Sequence, residues 1–193
     1  MTTETPDRLD GDTRNWLEER RRLTRQRLFE KSVPDEHRGV TLGDLSNTRL
    51  SADLRAWLAS DSLTLFLVGG KMAGKSHAAY ATLRSASGGG ANVWGATVAD
   101  LACCLPDAAP DTRLRKVAGQ VDLLLLDDLR PRLDTVDRSR LIGRLLDERV
   151  GDRKRQIITG TAATVAELID GWGWWGRSWA ESGFSTVTAS ASS

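Results

Sequence analysis

The chain has 193 residues, 40% of them apolar and 27% charged, with a formal net charge of +1. That length suits one domain with a full hydrophobic core. The near-neutral balance excludes a polyelectrolyte, so any nucleic-acid contact has to come from a local basic patch.

Taken in chain order, residues 1–13 read as a disordered tail, polar and without the apolar centre of a signal peptide. Residues 14–32 read as a basic amphipathic helix. Arg14, Arg20, Arg21, Arg22, Arg25, Arg27 and Lys31 stand against Glu18, Glu19 and Glu30, while Trp16, Leu17, Leu23 and Leu28 share one side and Phe29 lies off that stripe. Pro34 stops the helix. A helix this short is marginal alone in water, so its stripe needs a cover. Either the rest of the chain supplies it or a partner does. The partner is preferred, because no other segment outside the core is available for recognition.

From about Leu50 onward, short apolar runs alternate with helical segments. Residues 63–68 (LTLFLV) predict a strand stopped by Gly69 and Gly70. A helix over 76–85, a flexible turn over 85–90, a strand over 92–96 and a helix over 97–105 follow. The adjacent Cys103 and Cys104 lie in that last helix. They form no CxxC zinc frame, and they read as small core residues in a reducing, cytoplasmic setting. The nearly continuous apolar run at 121–126 (VDLLLL) predicts a central parallel strand covered on both faces. Residues 134–150 predict an amphipathic helix with Leu141, Ile142, Leu145, Leu146 and Val150 inward, and with Asp134 and Asp137 placed to cap it. Residues 155–159 and 185–189 predict the last two strands. Strands alternating with helices give an α/β fold with a parallel sheet between helices. No apolar run approaches the roughly 20 residues that span a bilayer, so no membrane partner is expected.

The strongest motif is Gly69-Gly70-Lys71-Met72-Ala73-Gly74-Lys75-Ser76, which fits GxxxxGK[ST] between a strand and a helix. Its glycines allow a loop of inward N–H groups around phosphates, and the helix N-terminus adds a positive dipole end. Lys75 is placed for the β- and γ-phosphates of ATP and the Ser76 hydroxyl for Mg²⁺. The second motif is the apolar strand ending in Asp127-Asp128: Asp127 to hold Mg²⁺ and Asp128 to orient or deprotonate the attacking water. The third is Thr159-Gly160-Thr161 at a neighbouring strand tip, a place from which a hydroxyl can sense the γ-phosphate. Many strands end in such residues for turn chemistry alone.

Together these residues resemble the AAA+ ATPases of the DnaC and IstB type. The resemblance runs from about residue 30 to 190. It starts with the Val33-Pro34 stretch and Thr41-Leu42, continues through Gly74-Lys75-Ser76-His77-Ala78-Ala79 and reaches Asp127-Asp128-Leu129. It implies a P-loop core with a five-stranded parallel sheet over residues 33–193, with no room after the last strand for a helical lid. It places His77 with the nucleotide-binding residues, Thr161 where the family has a sensor asparagine, and Asp128 where many such ATPases carry a longer glutamate. It also implies ATP-driven homo-oligomers in which an arginine completes the neighbour's site. Arg177 in the tryptophan-rich 171–179 segment is the candidate, with a surface arginine stacked on Trp175 or Trp179 as the alternative. The implied activity is that of an ATPase acting as a helicase loader of the kind phages carry. It would place a replicative hexameric helicase on single-stranded DNA, with Arg113, Arg115 and Lys116 as a DNA-facing cluster or else a solvated helix face. The alternatives are an IstB-type ATPase acting with a transposase and a nucleotide-binding adaptor with weak hydrolysis.

Overall fold

A computed structural model describes residues 11–103, 119–130, 136–170 and 184–189. Five strands form one sheet in the order β2-β3-β4-β1-β5: β1 Thr64–Val68, β2 Val93–Thr97, β3 Leu123–Leu129, β4 Arg155–Gly160 and β5 Phe184–Thr188. Every neighbouring pair is parallel. The sheet therefore presents all its carboxyl ends on one edge, where an open α/β sheet holds its ligands.

Alternation along the strands splits the core into two layers. Leu65 and Leu67 of β1, Leu123 and Leu125 of β3, and Ile157 of β4 pack into one apolar cluster. Phe66, Val68, Leu124, Leu126 and Ile158 pack into the other. The first layer is covered by α1 (Gly11–Ser32), α2 (Thr48–Ala59) and α3 (Lys75–Gly88), and the second by α5 (Val136–Gly151) and α6 (Val165–Asp170). The short α4 (Val98–Cys103) follows β2 directly. Cys104 lies outside the described residues, as does Asp134.

Several boundaries differ from the sequence expectation. Helix α1 begins at Gly11, inside the stretch read as a tail. The expected turn over 85–90 is mostly helix, because α3 runs on to Gly88 and only then gives way to Gly89 and Gly90. Strand β3 continues through Asp127 and Asp128 to Leu129. Two further helices, α2 and α6, lie outside the sequence expectation, although both carry local start signals. The side chain of Asn47 caps α2 by accepting from Leu50 N at 3.0 Å, and Leu50, Leu54 and Trp57 form its inner face. In α6, Thr164 Oγ1 accepts from Glu167 N at 3.2 Å while the Glu167 carboxylate accepts from Ala163 N at 2.9 Å.

The N-terminal helix has two unlike faces. Phe29, expected off the apolar stripe, is the residue buried in the core, together with Val33 just beyond the helix. Arg84 of α3 holds Glu30 with a two-pronged ion pair at 2.6 and 2.7 Å. Arg22 and Arg25 reach the Gly88 and Gly90 carbonyls at 3.0 and 3.4 Å. The expected stripe faces away: Trp16, Leu23 and Leu28 are 57%, 42% and 62% exposed.

Candidate functional site

Strand β1 ends at Val68, and the chain turns sharply at Gly69, whose φ is 152°. A Cβ there would sit 2.2 Å from the Ala189 carbonyl oxygen, so that position admits only glycine. Met72 and Gly74 take positive φ of 61° and 77°, and α3 opens immediately afterwards at Lys75. Left-handed turns leading into a helix N-terminus turn backbone N–H groups toward one point, the arrangement that suits a phosphate.

Lys75 is buried to 8% exposure, and Asp127 to 6%. The Lys75 ammonium donates to the Gly69 and Gly70 carbonyls at 3.0 and 2.6 Å, inside the loop. Burial lowers its pKa from the ordinary lysine value, and Asp127 and Asp128 pull the other way. Ser76 Oγ donates to Asp127 Oδ1 at 2.9 Å. Residues separated by more than fifty positions thus meet because α3 starts beside the tip of β3.

Thr159 on β4 is the functional candidate that sequence reasoning undervalued. Its hydroxyl donates to Asp127 Oδ1 at 2.5 Å and accepts the Asp128 N–H at 2.9 Å. Thr161, the residue expected to act as the sensor, is exposed just past the end of β4. The two hydroxyls lie on either side of Gly160. A Cβ at Gly160 would come within 2.7 Å of Leu168 and 3.1 Å of the Leu129 carbonyl, which keeps α6 tight against the strand tips. Asp128 has φ of 59°, and its carboxylate accepts from Arg130.

His77, the residue after Ser76, faces His37 with their Nδ1 atoms 3.4 Å apart. The His37 ring stacks on Tyr80 at 4.9 Å. Burial lowers the His37 pKa below its ordinary value, against the pull of Glu36 and Asp127. His37 lies in the Asp35–His37 turn that follows Pro34, so the segment before the core closes over the start of α3. A contact between positions 37 and 77 leaves no local signal in the sequence.

The donors fit a hard divalent cation carried by a phosphate. Ser76 and Asp127 offer oxygen atoms, and no cluster of three or more His, Cys, Asp or Glu able to hold a metal occurs among the described residues. Mg²⁺ is taken in this way, by one or two protein oxygens with phosphates and water completing its shell. Arg177, Arg113, Arg115 and Lys116 lie outside the described residues. No helix among the described residues is long and apolar enough to cross a membrane.

Parallel strands in the order β2-β3-β4-β1-β5, with a glycine loop after β1 and an acidic tip on β3, give this chain a P-loop α/β fold of the AAA+ type. Solved structures agree. The DnaC helicase loader superposes with a TM-score of 0.69 at 21% identity, over 81% of this chain and 100% of that one. DnaI gives 0.71 at 16% identity, over 87% and 98%. The replication initiator DnaA bound to AMPPCP and single-stranded DNA gives 0.66 at 21% identity, over 79% of this chain and 50% of that one, so the chain spans about half of DnaA. No family model matches the chain, and no curated protein matches it by sequence.

Proposed function

We propose that this chain binds and hydrolyses Mg²⁺-ATP and acts as a helicase loader, placing a replicative hexameric helicase on single-stranded DNA. The observation that carries the reading is the shared oxygen Asp127 Oδ1, on which Ser76 of the loop and Thr159 of β4 converge at the carboxyl edge of the sheet. A general scaffold needs no buried carboxylate tied to a glycine loop. A triphosphate site needs one.

In this reading the loop N–H groups and Lys75 bind the β- and γ-phosphates. Ser76 and Asp127 hold the cation, with Thr159 fixing the carboxylate. Bound Mg²⁺ would neutralise phosphate charge and polarise the reacting phosphoryl group. Asp128 takes the proton of the attacking water. Arg177 acts on a neighbouring subunit's nucleotide, and the 113–116 cluster contacts DNA phosphates. Support for the loader over other ATPases comes from the likeness to a helicase loader over 81% of this chain and the whole of that solved chain, and from the outward Trp16–Leu28 face of α1, a surface for the helicase.

Capture of the purified replicative helicase by the tagged chain, with ATP and without, tests the loader reading. Loss of capture under both conditions would overturn it. ATP turnover with and without single-stranded DNA tests the enzyme. Arg177→Ala is expected to lower turnover about 10³-fold while binding ATP normally. Mixing it with Lys75→Ala restores part of the activity if the arginine works across subunits.

A further inference from the structure

Asp128 occupies a bulge. Strands β3 and β4 pair with Leu126 opposite Ile158 and resume with Leu129 opposite Gly160, so Asp127 and Asp128 together face the single residue Thr159. Asp128 takes the extra place in the left-handed region, an uncommon conformation for a residue with a side chain. Bulges of this kind re-aim a side chain, and this one aims a carboxylate. Thr159 fixes its backbone by accepting the N–H at 2.9 Å. Arg130 fixes its side chain, donating from Nη2 at 2.9 Å and from Nε at 3.2 Å to the same oxygen, Oδ2.

We propose that Arg130 is a positioning residue that holds the Asp128 carboxylate back from the attacking water, so that hydrolysis is restrained until Arg130 is drawn away. This rests on the reading of the site as an ATPase. A general base works when its oxygen comes within about 2.6–3.2 Å of the heavy atom whose proton it takes, or reaches it through one water. A carboxylate clamped by a guanidinium fork on one oxygen, on a backbone pinned by Thr159, is not free to follow the water. The fork takes up the lone pairs of Oδ2, which leaves Oδ1 as the oxygen to accept the water's proton. The clamp is weak enough to be a control point: the Arg130 and Asp128 side chains are 70% and 45% exposed. Salt and competing anions therefore reach it, as they do not reach the buried Asp127–Thr159 pair.

The test compares the full chain with Arg130→Ala, Arg130→Lys and the double variant Arg130→Ala/Asp128→Asn. Steady-state ATP turnover is measured across a salt series, and nucleotide affinity by fluorescent-ATP titration. Arg130→Ala is expected to raise kcat about twofold to fivefold at low salt, the range an exposed ion pair spans, with KM and nucleotide affinity unchanged. Wild-type turnover should climb toward the Arg130→Ala value as salt screens the pair, whereas Arg130→Ala itself should respond little. Arg130→Lys, a point charge without the fork, should fall between them. An equal or lower kcat in Arg130→Ala, with affinity intact, overturns the restraint and would make Arg130 a supporting cation instead. Acceleration that survives in the double variant also overturns it, because Asp128 would not be the group released. Absence of nucleotide binding in every form would overturn the ATPase reading and the restraint with it.

Discussion

The carboxyl edge of the sheet and the N-terminal helix are both rich in charge, yet the fold treats them in opposite ways. At the sheet edge, Lys75, Asp127 and Thr159 are buried, and each polar group meets a partner placed by a different element. On α1 most charges lie on the surface, as in Glu19–Arg22 or Arg20 stacked on Trp16; Arg22 and Arg25 touch the end of α3 through the Gly88 and Gly90 carbonyls, and apolar burial begins only at Phe29. Buried polar groups are costly unless fully satisfied, so the first arrangement is rigid and intolerant of change. Exposed pairs contribute little, so the outer half of α1 is free to serve something other than stability.

The contrast breaks or sharpens under substitution. The largest stability effect should fall inside α1 itself. Phe29→Ala is expected to cost about 3–5 kcal/mol, because it empties a core position bridging α1 and α3, and a denaturant melt reads this directly. Removing residues 1–31 should cost a similar amount, while removing residues 1–23 spares Phe29 and should leave the melt nearly unchanged. Equal melts for the two truncations would erase the division of α1 into anchor and free face. At the sheet edge, Lys75→Ala should weaken ATP binding by about 1.5–3 kcal/mol, roughly tenfold to 150-fold, in a fluorescent-nucleotide titration. Thr159→Val should cost about 1–3 kcal/mol, since it leaves the Asp128 N–H unpaired. It should also raise the Mg²⁺ concentration needed for turnover, and Thr159→Ser should restore both. The smallest stability effect belongs to Trp16→Ala/Leu23→Ala, expected within about 0.5 kcal/mol per site for exposed positions. That variant should nonetheless lose helicase capture, and retained capture would move the contact elsewhere, with the tryptophan-rich 171–179 segment next.

How much could be read in advance depended on how local each feature is. The 69–76 loop was legible because its glycines, lysine and serine are consecutive and lie between a strand and a helix that are also consecutive. The apolar run at 121–126 announced a central strand for the same reason, since burial on both faces leaves a continuous signature. Asn47 and Thr164 are equally local signals for the helices they cap.

Chain order and residue type were therefore enough to establish the parallel α/β fold, the glycine loop and the acidic strand tip. Each is written in neighbouring residues whose conformational preferences agree with one another. Three-dimensional packing settled what no local pattern encodes. Periodicity marked an apolar stripe on α1 but not which side would meet the core, and Phe29 went in while Trp16 and Leu28 stayed out. The register of β3 against β4 decided that Asp127 and Asp128 share one partner, Thr159 rather than Thr161, across more than thirty residues of chain. Such pairings arise from strand register and helix placement, which depend on the whole sheet being assembled.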